Sequence, residues 1–272
     1  MRSAHVLMMV SAMPLLATLA GPAAAAEATL PPVAVSGVKS SPVQKSYRRM
    51  VHGLEVFEAL RPRYAPQAAE LRFRLLPRKK GMALDALDLG IESLNVDTPI
   101  AVAADRTFTL PSDPRALQED AVVTASRRQL SMTWRTEIRS PGLPPGTRRL
   151  GDLRLECRVG IEADLVSNED PLGAIGALFA EGSESYCGKA LSRYLFFAER
   201  PLFGVTLVDG ARREALPAVR LWAGASEDPG LAHDLPYCDC EVLVDRSYFL
   251  PLGDASWSDE TRVEFEYMDG AP

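Results

Sequence analysis

Histidine is almost missing from this chain: three in 272 residues, of which only His52 and His233 lie beyond the first stretch. A nucleophile needs a base beside it, and no Gly-x-Ser-x-Gly elbow accompanies either histidine. The sequence has no glycine-rich phosphate loop, no His-Glu-x-x-His and no Ca²⁺-loop spacing, so the common motifs for nucleotide, zinc and calcium chemistry are absent. Cysteine is limited to four. Lysine is scarce beside arginine. The formal net charge of −6 argues against nucleic acid, which needs a clustered basic face. Past the first 26 residues no apolar run approaches the ~20 that a transmembrane helix requires.

What is present begins with an address. Arg2, an apolar run from Val6 to Ala20 and the small residues Gly21 to Ala26 have the layout of a secretory signal. They predict cleavage after Ala26, export, and a bacterial periplasmic location. Glu27 to Lys45, rich in Pro, Ser and Gly, reads as a flexible tether. The remainder is long enough for two small domains. Its charge is uneven. Residues 27–160 carry 21 basic and 15 acidic side chains, a net +6, whereas residues 161–272 carry 8 and 21, a net −13. Attraction between the two halves is the plain reading of that polarity, and a partner of matching polarity the sharper one.

The chain is organised around a stretch that occurs twice. Asp105-Arg106-Thr107-Phe108-Thr109-Leu110-Pro111 returns 140 positions later as Asp245-Arg246-Ser247-Tyr248-Phe249-Leu250-Pro251. Alternating apolar residues precede each copy (Ile100, Val102, Ala104; Cys240, Val242, Val244), and an acidic loop and a further apolar run follow. Alternation with period two predicts a strand with one buried face. Asp-Arg supplies turn chemistry, and the proline ends the ladder. Each copy therefore reads as a hairpin, and the pair as two similar domains.

Around them, Ser46 to Leu60 has the apolar spacing of one helical face, ended by Pro62. Leu71-Phe73-Leu75, Leu87-Leu89-Ile91, Met132-Trp134-Thr136-Ile138 and Leu153-Leu155-Cys157-Val159 read as strands. Asp170-Pro171 opens a helix that Gly182 stops. Phe203 to Leu207 and Val263 to Tyr267 bound a second set of strands, with Val219 and Leu221 between them. The expected fold is mainly β: two tandem antiparallel β-sandwich modules, residues 46–160 with an N-terminal helix and 197–272, joined by a helical insert at 161–196.

The succession of apolar strand, Asp-Arg turn, aromatic-x-Leu-Pro, acidic loop and closing strand resembles the prealbumin-like modules found beside bacterial carboxypeptidases and in surface adhesins. Arg106 and Arg246 stand where glycine is commoner in those modules. The resemblance covers roughly residues 70–160 and 197–268, and the whole is similar to uncharacterised bacterial periplasmic proteins. It implies a fold and a binding or spacing role, with no catalytic residues.

Four cysteines in an exported chain favour disulfides, with Cys157–Cys187 expected to close a loop around the middle helix. Cys238 and Cys240, two apart, place both thiols on one side of a strand. A disulfide, free thiols or a soft-metal site with His233 and Glu241 are the alternatives there. His52 reads as an ordinary helix residue. The carboxylate pairs Glu162/Asp164 and Glu169/Asp170 read as solvated faces. Trp134 and Trp222 fit core positions, whereas Trp257, in the acidic loop with Asp254 and Asp259, is the candidate exposed aromatic. The reading is a non-enzymatic binding or scaffolding protein of the envelope. It uses Trp257, Asp254, Asp259, Arg106 and Arg246, requires no cofactor or metal, and takes an envelope protein or a glycan as partner, with no nucleic acid and no membrane span in the mature chain. Carbohydrate binding and thiol- or metal-dependent activity at Cys238/Cys240 are the alternatives. The sequence leaves the oligomeric state open.

Overall fold

A helix begins where the tether was expected to end. In the computed structural model, which describes residues 42–78, 81–129, 131–165, 182–189, 194–222 and 243–268, Ser46 caps helix α1 (Tyr47–Tyr64), its Oγ accepting from Arg49 N at 3.3 Å. Tyr47, Met50, Gly53, Phe57 and Tyr64 form its buried stripe. Pro62 does not stop it. The proline lies in the last turn, where its missing N–H costs one bond, and the helix closes with Ala65 N on Arg61 O (2.9 Å). Pro42 to Lys45, counted in the tether by sequence, belong to a strand, β1 (Pro42–Ser46).

The rest is mainly sheet, as expected. Among the described residues thirteen strands form four antiparallel sheets. After α1 come β2 (Arg72–Pro77), β3 (Leu89–Glu92), β4 (Asp97–Pro99), β5 (Thr107–Phe108), a short helix α2 (Pro114–Gln118), β6 (Val122–Arg128) and β7 (Met132–Glu137). A second series follows: β8 (Thr147–Arg149), helix α3 (Leu150–Glu162), β9 (Phe196–Phe197), β10 (Leu202–Asp209), β11 (Arg212–Ala215), β12 (Ser247–Tyr248) and β13 (Arg262–Tyr267).

The two series share one connectivity. One four-stranded sheet runs β4-β3-β6-β1 and the other β11-β10-β13-β8. Registers agree as well. Val122 faces Ser46 and Arg262 faces Arg149, and each of those partners is the residue that precedes the helix. Tyr47 N donates to Ala121 O (3.1 Å) as Leu150 N donates to Thr261 O (2.9 Å). Gly90 pairs Pro99 as Thr206 pairs Ala215, and Ile100 N on Leu89 O matches Leu216 N on Val205 O, both 2.8 Å. Phe73 pairs and stacks on Phe108 (5.3 Å), Phe196 on Tyr248 (5.4 Å). β7, which adds a third strand beside β2, has no counterpart among the described residues.

The repeated motif is not a hairpin. Residues 101–103 are irregular and Val244–Arg246 form a 3-10 turn. The strand after each Asp-Arg is two residues long, and it pairs with an earlier strand, β2 or β9, rather than with the run before it. Residues 240–242 lie outside the described residues.

Leu153 to Val159 is a second correction: it is helix, not strand. Ten of the thirteen residues of α3 are buried, so its polar stripe narrows to the single row Arg154, Arg158 and Glu162 and its period is masked. Leu155 and Val159 enter one hydrophobic cluster with α1, Phe73, Ile91 and Trp134. Leu153, Cys157 and Ile161 enter the other with Leu207, Tyr248 and Val263. The apparent alternation is two i,i+4 rows on opposite sides of one helix. Thr147–Arg149, assigned by sequence to the first module, pairs with β13 in the second sheet. Val219 lies in a 3-10 turn and Leu221 makes an isolated bridge to Tyr248 rather than a strand. The signal segment, residues 27–41 of the tether, the helix expected after Asp170, the acidic loop at 225–237, and Cys238 and Cys240 fall outside the described residues.

Candidate functional site

β7 is buried along its whole length, polar residues included. One face carries Met132 and Trp134 into the first core. The other carries Arg135 and Glu137 toward the second half, where the Arg135 guanidinium lies over the rings of Tyr194 (5.9 Å) and Phe197 (5.5 Å). Thr136 Oγ1 donates to Glu156 O (3.1 Å) on α3. Charged groups are thereby drawn to the junction of the two halves, and they can be buried there only as partners.

The inner partners are Arg74 with Glu137 and Arg148 with Glu156. Arg74 engages Glu137 with two nitrogens, Nε on Oε2 and Nη2 on Oε1 (2.7 Å), and Arg139 Nε binds the same carboxylate. Burial by itself would raise the Glu137 carboxyl. The hydrogen bonds and charge of Arg74, with Arg148 and Arg139 behind them, hold it down at about 2. Arg148 Nη2 donates to Ile138 O (2.7 Å) and Glu156 Oε2 (2.8 Å). Burial works against the Arg148 charge, but Glu156 outweighs it and the guanidinium is held above its ordinary value. Burial pushes the Glu156 carboxyl up against the pull of Arg148.

Outside these pairs lies an open cleft of about 620 Å³, lined by Ala69, Glu70, Arg72, Arg74, Asp105, Thr107, Glu137, Arg139 and Glu199. Its outer pairs are exposed: Arg72 Nη1 on Glu70 (3.0 Å) and Arg139 Nη2 on Glu199 (2.7 Å). Asp105 accepts from Thr107 N (3.1 Å) and Oγ1 (2.7 Å); these bonds, the hydroxyl's first, hold its carboxyl below the usual range. Such a cleft can bind charged groups. Its innermost carboxylate, ionised far below neutral pH, carries no proton for general acid work.

The repeated Asp-Arg pair reaches this cleft from both sides. Arg74 Nη1 holds Asp105 O (3.0 Å) and Arg246 Nη1 holds Glu199 O (2.8 Å). Arg106 points elsewhere, to Asp85 at 3.6 Å, from a backbone with φ of 63°. The loop expected to bind is spent on itself. Trp257 is 2% exposed and covered by the Arg212 guanidinium at 3.5 Å. Asp254 caps Ser256 N (2.9 Å), and Asp259 accepts from Arg154 Nη1 (2.6 Å). Arg154 also donates to the carbonyls of Leu252, Asp254 and Trp257. Trp257 was expected to be exposed because its neighbours are polar, but the loop folds over α3 and turns the ring inward.

Sequence reasoning missed Arg72, Arg74, Glu137, Arg139 and Glu199. The one available signal was arginine at alternate positions of a strand, Arg72 and Arg74, which share a face. Cys157 and Cys187 are disulfide-bonded as expected. His52 lies on α1 beside Glu55 (3.2 Å) and Glu162 (3.5 Å). Trp134 is buried, and Trp222 is half-buried with Nε1 donating to Leu202 O (2.7 Å). Among the described residues no three His, Cys, Asp or Glu side chains converge as a metal site, and no helix is long and apolar enough to cross a membrane. No family model, curated protein or solved structure matches the chain.

Proposed function

We propose that the chain is an exported, non-enzymatic binding or scaffolding protein of a bacterial envelope, and that it engages its ligand in the cleft between its halves. One observation carries this. The cleft is open and of ligand size, yet its deepest carboxylate, Glu137, is clamped by two arginines and held at about 2. A group so held orients charge rather than moving protons. The leader-like first 26 residues support export. The glycan reading needs an exposed tryptophan, and Trp257 is buried under Arg212.

We propose further that the two halves descend from one unit of strand, helix and sheet by duplication. The shared strand order and the shared registers at β6–β1 and β13–β8 support this beyond the repeated heptapeptide.

The test is direct. Cell fractionation of the tagged full-length chain is expected to yield a shortened product in the periplasm, and the purified protein is expected to leave peptide, ester and glycoside substrates intact. A full-length cytoplasmic product would overturn the exported reading. Turnover that disappears in Glu137→Gln would overturn the non-enzymatic one.

A further inference from the structure

The cleft has two kinds of ion pair, and they differ in what it costs to open them. Glu137 is 7% exposed at its side chain and bound by Arg74 and Arg139. Opening that group strands a buried charge. The pair of Arg139 and Glu199 has side chains 42% and 51% exposed, and that of Arg72 and Glu70 is similarly open. Exposed pairs of this kind contribute little, because water solvates both partners nearly as well.

Donors remain unspent on the outer arginines. Arg72 uses only Nη1, on Glu70, and its buried Nε has no partner. Arg139 uses Nε and Nη2. On the acidic side, Glu70 and Glu199 each accept one side-chain bond. An anion alone that took Arg139 would leave Glu199 without its partner, and a cation alone that took Glu199 would leave Arg139 so. A ligand with both charges leaves neither. Its carboxylate takes the guanidinium and its ammonium takes the released carboxylate, so one weak pair becomes two. The lining carries Arg72, Arg74 and Arg139 against Glu70, Asp105, Glu137 and Glu199. That near balance selects against ligands of one sign.

We infer that the cleft recognises a short peptide carrying both carboxylate and ammonium groups, by exchange of the Arg139–Glu199 and Arg72–Glu70 pairs. The inference rests on the binding reading above. Arg246, which fixes the Glu199 backbone, and Arg74, which fixes Glu137 and Asp105 O, act as positioning residues.

Calorimetric titration of the full chain with the blocked peptide Glu-Lys-Glu-Lys, and with blocked tetra-Glu and tetra-Lys of equal length, tests it. The mixed peptide is expected to bind about tenfold more tightly than either uniform one, and Arg139→Gln and Glu199→Gln are each expected to weaken it about tenfold. Arg213→Gln, at the distant Glu264 pair, should change nothing, and circular dichroism should show all variants folded. Equal affinity for tetra-Glu or tetra-Lys, indifference to both Gln variants, or no binding of any peptide would overturn the inference. Mass spectrometry of the titrated peptides separates the two levels: peptides recovered intact but unbound sink only this inference, whereas cleaved peptides sink the non-enzymatic reading.

Discussion

Glu137 shows how a residue's neighbours decide what its carboxyl does. Its ordinary value is 4.5, and the guanidinium of Arg74 holds it at about 2 in the folded protein. The folded state therefore binds that proton less tightly than the unfolded chain. Stability from this group is fully present above about pH 4.5 and is lost as the pH falls toward 2, about 3 kcal/mol in total. Urea unfolding at pH 6, 4 and 3 should show this slope as the difference between wild type and Glu137→Gln; parallel curves would sink the assignment. Trp257 is the contrasting residue. Buried beside α3, it should cost about 3–5 kcal/mol when truncated to alanine, measured by thermal or urea unfolding, because a cavity opens. A surface binding residue would cost almost nothing. Its sequence context was polar on both sides, so nothing local signalled burial. The cover comes from Arg212 and Arg154, 45 and 103 positions away.

At the scale of elements, the two long helices carry the architecture, and the sequence shows one of them, though not its end beyond Pro62. The stripe of α1 was legible because its other face meets water, so its period survived in the residue types. That of α3 was not legible, since both of its faces are buried in different clusters. The helices meet at Gly53, where an added Cβ would sit 2.7 Å from the Ala163 Cβ. Gly53→Ala should therefore cost about 1–3 kcal/mol despite alanine's better helix propensity. Ala163→Gly in the same chain should recover part of that loss, since it removes the clashing atom. A double-mutant cycle by chemical denaturation checks the coupling, and strict additivity would place the effect elsewhere.

For the whole molecule, the bond from Cys157 to Cys187 spans 30 residues of chain and ties α3 to a segment beyond it. Closing a loop of that length constrains the unfolded chain and contributes about 3–4 kcal/mol. Cys157→Ala with Cys187→Ala should lower the unfolding free energy by that amount, as should reduction, and an unchanged midpoint would show that the segment contributes nothing. The opposite charges of the two halves also take physical form at this scale. Arg139 of the first series reaches Glu199 of the second, whereas Arg154 on Asp259 and Arg149 on Glu260 tie α3 and β8 to the segment before β13 within the second series. Across the two series the opposite charges meet at Arg139 and Glu199, and the cleft lies where that pair remains exposed.

The amino-acid sequence by itself determined the preponderance of strands, the α1 stripe and the existence of a repeat, because each is written in local residue types or in counts. Tertiary structure alone decided which strands pair, which side of α3 faces which core, whether Trp257 meets water, and which arginines line a cleft. Strand partners and ion-pair partners here lie tens of residues apart, as Phe73 from Phe108 and Arg74 from Glu137 show. The free energy of such contacts is set by burial and geometry that no local pattern encodes.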